Sequence, residues 1–142
     1  MSQTGTPTTD GDTEQLYRAH PCGVRIHEVP GRDGDGTRYR FDAPDHCGRT
    51  FDDAETAILY ADVYFDVNGF EEAGTGERGV PPTIIQAGRD TLVAYFLTQP
   101  NVDVYWAASF YGEKPEKIER YAARVRKRAE RIRAGIRERG LD

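Results

Sequence analysis

Long apolar runs are missing from this 142-residue sequence. None approaches the ~18 residues of a membrane-crossing helix, so no membrane role is expected. Cysteine is scarce as well. Two in the whole chain do not make a disulfide scaffold, and a reducing compartment keeps most thiols free. The opening stretch, MSQTGTPTTDGDTEQ, has neither the basic nor the apolar region of a secretory signal, so a cytoplasmic location is expected. Signatures of catalysis are missing too. Gly74, Gly76 and Gly79 lack the preceding strand and following helix of a phosphate loop. No serine nucleophile elbow is present. The reading therefore leans away from an enzyme.

What is present is a charge split. Residues 1–112 carry 8 Arg/Lys against 18 Asp/Glu, whereas residues 113–142 carry 11 against 6. The net charge of −5 thus conceals an acidic body joined to a basic end. Arginine outnumbers lysine 16 to 3, which genome composition explains as readily as guanidinium chemistry.

Residues 1–16 hold almost nothing apolar and read as a disordered N-terminal tail. Residues 17–112 read as an α+β core. GVRIHEV (23–29) and RYRFDA (38–43) alternate with period two and form a hairpin about residues 33–34. Thr50 is the expected N-cap of a helix over roughly 51–67 that buries Ala54, Ile58, Ala61 and Phe65, with Asp62 and Asp66 on its outer side. TIIQ, TLVAYFLT and VDVYWAASFY then read as three strands on aromatic and β-branched content. A helix from Asn101 is the competing reading of the last. Tyr95, Phe96, Tyr105, Trp106, Phe110 and Tyr111 exceed what one sheet face needs, so they form either core or an apolar pocket. The order β-β-α-β-β-β-α implies a single-domain α+β fold: an antiparallel sheet of about five strands, with helices on one face.

The strongest element is the last. Residues 113–142 read as a long basic C-terminal helix, from Pro115 at its first position to Gly140 at its stop. Ile118, Ala122, Val125, Ala129, Ile132 and Ile136 recur at steps of four and three. Such a helix spans about 36 Å, against roughly 17–20 Å for a strand, so it packs on the core or projects from it. A self-paired zipper is disfavoured because it sets arginines against arginines. Three acidic counterparts remain: the chain's own body, a partner protein, or nucleic acid contacted by Arg120, Arg124, Lys127, Arg128 and Arg131. Glu116, Glu119 and Glu130 dilute that patch, and the chain as a whole is acidic, which weighs against nucleic acid.

One corner invites chemistry. HPCG (20–23) and DHCGRTF (45–51) hold both cysteines and two of three histidines, each Cys-Gly resembling half of a zinc knuckle. The missing knuckle cysteines are Ala19 and Pro44, so zinc would need His20, Cys22, His46 and Cys47 together. A Cys22–Cys47 disulfide and a thiol with a histidine base are the other functional readings. Against them stands a plain pair of small residues closing a sheet edge. A calcium loop over residues 31–42 fails at its first ligand, Gly31. The expectation is accordingly a binding or interaction module, with a protein partner or self-association. A small nucleic-acid-associated protein and a zinc-binding protein are the alternatives. Metal analysis with a thiol count under denaturing conditions is expected to give two free thiols and no stoichiometric zinc; bound zinc or missing thiols would revive the corner.

Overall fold

The structure is a computed structural model that describes residues 14–31, 36–44, 46–70 and 80–140, with backbone alone at residues 47 and 48. Four strands follow one another across a single antiparallel sheet: β1 (Gln15–Ala19), β2 (Arg25–Pro30), β3 (Thr37–Ala43) and β4 (His46–Phe51). A 3-10 turn, Pro21–Gly23, joins β1 to β2. Five helices come after: α1 (Ala54–Asp66), α2 (Pro82–Ala87), α3 (Arg89–Leu97), α4 (Val104–Tyr111) and α5 (Pro115–Glu138). The fold is α+β, as its sequence implies, with four strands among the described residues where about five were expected.

The β2–β3 hairpin pairs Ile26 with Phe41 and Val29 with Arg38, the register expected from a turn centred near residues 33–34. The turn itself, with Asp33 and Asp35 of the rejected calcium loop, lies in residues 32–35, outside the described residues. Ile26, Phe41 and Phe51 turn one face of the sheet towards the helices and join a core with Tyr60, Val63, Ile84 and Val125. On the other face, Arg40 donates to Glu14 at 3.0 Å and to Asp42 at 2.9 Å, tying the start of β1 to the middle of the sheet. Ordered backbone starts before the expected end of the tail at residue 16. The strand β1 begins at Gln15, and residues 1–13 lie outside the described residues.

Three expected strands are helices. Pro82 opens α2, and Asp103 caps α4 by accepting from the backbone amide of Trp106 at 2.8 Å. Gly112 closes α4 in the left-handed region at φ 66°. TLVAYFLT misled because α3 buries Thr91, Val93, Ala94 and Tyr95 with no polar stripe left to mark a period. Pro100 and Asn101 do form a turn, but between two helices. Conversely, β1 and β4 went unseen. All five residues of β1 are exposed, so no alternation marks it, and Thr50 and Phe51 extend β4 instead of opening α1. The cap of α1 is Asp53, whose Oδ1 accepts from Thr56 N at 2.8 Å.

Helix α1 runs through the centre of the molecule, burying Ala57, Leu59, Tyr60, Ala61, Val63 and Phe65. Asp62 and Asp66, expected on its outer side, point inward, towards α5, whereas Glu55 is exposed. Arg133 Nη1 donates to Asp62 Oδ1 at 2.7 Å, with side-chain exposures of only 12% and 5%. Arg128 donates through Nε and Nη2 to both oxygens of Asp66, at 2.7 and 3.0 Å. Its Nη1 reaches Asp90 Oδ2 at 2.8 Å. Thr91 Oγ1 adds a donor to Asp66 Oδ2 at 2.6 Å. Along α5 Ile118, Tyr121, Ala122, Val125 and Ala129 are buried, so its apolar stripe faces its own body.

Burial pushes the Asp62 carboxyl above its usual range, further than Arg133 pulls it down. At Asp90 burial also pushes upward, yet the hydrogen bond and charge of Arg128 outweigh it and the carboxyl falls below its usual range. A pair this enclosed costs more when halved than when replaced whole. Arg133→Ala is expected to lower stability by about 3–5 kcal/mol in urea unfolding, and Asp62→Leu with Arg133→Met to restore most of it. Equal losses in both variants would show that the pair does not act this way.

Candidate recognition surface

The described members of the Cys/His corner have separate surroundings. The 3-10 turn places Cys22 on the surface, with φ 64° and a free thiol. The turn does lie against the end of β3, because a Cβ on Gly23 would stand 3.5 Å from Pro44 Cγ. The histidines, however, turn inward to separate partners. His46 is 7% exposed, and its Nε2 lies 2.5 Å from Tyr60 Oη among the rings of Phe41, Tyr64 and Phe70. His20 stacks edge-on against Phe65 at 5.7 Å, with Nε2 buried and no hydrogen-bond partner. The Cys47 side chain lies outside the described residues. Among the described residues no group of three or more His, Cys, Asp or Glu side chains is arranged to hold a metal ion.

Two clefts flank the start of α1. One, of about 230 Å³, lies between the strand ends and the α3–α4 turn, with Arg38, Arg49, Thr98 and Gln99 in its wall. Its polar groups largely satisfy each other. Arg49 Nη2 donates to Gln99 Oε1 at 2.8 Å, and Gln99 Nε2 donates to Thr98 Oγ1 at 3.1 Å. Arg38 Nε sits 3.2 Å from Asp52 Oδ1, close enough to pair but without hydrogen-bond alignment. The second cleft is shallow and more apolar, with Leu59, Leu97, Val102 and Val104 in its wall.

The more distinctive feature is convex. Helix α4 buries Ala107 and Ala108 against α5 and α3, which leaves its bulky residues on the opposite side. Tyr105 is 74% exposed, Phe110 48% and Trp106 42%. Trp106 and Phe110, four residues apart, stack face to face at 5.0 Å and 9°. Both meet the edge of half-buried Phe96 on α3. The six aromatics that seemed too many for one sheet face therefore divide: Tyr95 is core, and the α4 residues form an outward patch.

Beside this patch runs the outer face of α5. Arg120, Arg124, Lys127 and Arg131 are exposed along it, while Arg128 is committed to Asp66 and Asp90. The nucleic-acid reading of the sequence therefore loses Arg128 as a free contact, and Lys117 takes its place in the row. Contacts join row and patch. Phe110 meets Tyr111 at 5.1 Å, Arg89 lies over the Tyr111 ring, and Glu113 bridges Arg89 and Lys117 at 3.7 and 3.8 Å. Lys117 and Arg124 both lie over the Tyr121 ring. Sequence reasoning found the cations by spacing. It missed the patch because a strand reading of residues 102–111 assigned these aromatics to a core or an apolar pocket. The bracketing Asp103 and Gly112 were the signal for a helix.

Comparison with protein-family models, curated proteins and solved structures yields no significant match. No described helix is long and apolar enough to cross a membrane.

His20 offers a check on this geometry through pH. Burial, then the charges of Arg133, Arg18 and Arg137, lower its imidazole from 6.5 to about 4. The folded state thus favours the neutral ring, and protonation favours unfolding. The sign follows: stability is full above pH 6.5 and falls as pH drops from there towards about 4. Asp90 and Glu14, both lowered, contribute only at more acidic pH. Urea midpoints measured across this range are expected to fall less steeply in His20→Gln than in wild type. Parallel curves would place His20 in water.

Proposed function

We propose that the protein is a non-catalytic interaction module whose anchor surface is the aromatic face of α4, and whose ligand is a segment of another protein. The observation that carries this reading is the stacked pair of Trp106 and Phe110, two large rings left partly exposed on one short helix that also exposes Tyr105. Scattered apolar residues on a surface need no explanation, but contiguous aromatic area is what interfaces use, and Trp and Tyr are over-represented where alanine substitution costs most. The helix itself is held firmly from behind. Its Ala107 and Ala108 pack on Val93, Ile118 and Tyr121, and both its ends are capped. The rings are therefore presented in a fixed arrangement rather than on a loop, which limits the ordering cost of binding.

The test is peptide display on the whole protein, with Trp106→Ala and Phe110→Ala variants as counter-screens. Selected peptides are expected to carry aromatic or aliphatic anchors and to lose at least about tenfold in affinity on either variant, a loss typical of a central anchor. Unfolding midpoints of the variants should stay close to wild type, since both rings are largely solvent-facing. Failure to select any binder, or binders indifferent to both substitutions, would sink the proposal.

A further inference from the structure

Resting on that reading, we infer that the segment docking on α4 is acidic, and that the outer face of α5 is the rail that selects it.

The cations of α5 have two fates. Arg128 and Arg133 face the body and are neutralised there by Asp66, Asp90 and Asp62. Lys117, Arg120, Arg124, Lys127 and Arg131 follow one another at steps of three and four, so they form one row on the helix surface. From Lys117 to Arg131 the row measures about 21 Å. Arg120, Lys127 and Arg131 make no ion pair with any described residue. Internal docking therefore accounts for part of the positive charge and leaves this row facing solvent. The row begins at Lys117, joined through Glu113, Arg89 and Tyr111 to Phe110 of the aromatic patch. Contacts thus link the apolar anchor to the near end of the cationic rail, an arrangement comparable to the apolar centre and charged rim of protein interfaces.

Charge decides among occupants. A second copy docked patch to patch about a twofold axis would bring like rows together, which repels. A nucleic-acid strand carries regularly spaced phosphates over a length greater than the row. It would run onto exposed Glu116, Glu119 and Glu130 and then onto a body that is net negative. A short segment with a few Asp or Glu beside an apolar anchor meets the row and stops within it. Its carboxylates would accelerate encounter and exclude basic competitors, while the aromatic contact sets residence time.

Two synthetic peptides with one anchor sequence, taken from the selection above, separate the terms. One carries Glu around the anchor and the other Gln. The Glu peptide is expected to bind about tenfold more tightly at low ionic strength, chiefly through a faster association rate, with the advantage lost in high salt. The triple variant Arg120→Glu, Lys127→Glu, Arg131→Glu should abolish that advantage and leave the Gln peptide unaffected, which also shows that the variant is folded. Equal affinity of the two peptides, or indifference to the triple variant, would overturn the acidic partner while leaving the α4 anchor standing. Loss of both peptides' dependence on Trp106 would instead remove the anchor. A single-stranded oligonucleotide binding to the row more tightly than the Glu peptide, with a steep salt dependence, would likewise overturn the inference.

Discussion

The register of α5 on the body depends on where Arg128 and Arg133 find carboxylates. Apolar packing by itself would tolerate several placements of a long helix, because Ile, Val and Ala at steps of three and four present much the same surface one turn along. Charges do not. Asp62 and Asp66 sit on α1, one turn apart and nearly enclosed. Each would be left desolvated and unpaired if α5 slid by a turn. Asp90, near the start of α3, adds a third fixed point. The arginines thereby decide which side of α5 is covered and which is open, and so the direction in which its remaining cations point. Arg133 does this while lying over the Phe65 ring, against whose edge His20 also packs, so the N-terminal turn is gathered into the same arrangement.

Much of the architecture could be read from residue order. The β2–β3 register follows from alternation about a Gly/Asp turn, and α5 follows from its stripe, its Pro115 and its Gly140. Both signals are local and repeat several times, which makes them robust. The middle of the chain is different. Residues 82–111 fold as three short helices: α3 is covered on several sides and keeps no polar face, and α4 carries aromatics on its exposed side, so composition speaks louder than period and points to strand. The same loss of contrast hid the true orientation of α1. A helix surrounded on nearly all sides has no outside, and the carboxylates assigned to solvent were available to pair with a helix some sixty residues later in the chain.

The functional surface was legible in part, and for a related reason. Spacing alone located Arg120, Arg124, Lys127 and Arg131. It could not say that Arg128 is already occupied, since that depends on Asp66 and Asp90 in space. The histidine-cysteine corner shows the opposite error. The two Cys-Gly turns look alike in sequence, and the 3-10 turn does approach Pro44, yet one histidine packs on Tyr60 and the other on Phe65. Resemblance between short turns carries no information about where side chains point.

The ion pairs between α1 and α5 also give the chain a history. All four strands pair with their sequence neighbours, so the sheet and its turns can assemble as residues are added. The cations that neutralise Asp62, Asp66 and Asp90 are encoded near the end, and they emerge from the ribosome after everything they hold together. Until then the nascent body carries its full excess of negative charge. A body with that excess repels itself, and the arginines of α5 offset part of the repulsion at Asp62, Asp66 and Asp90. The last described helix thus completes the charge balance of elements that precede it in the chain.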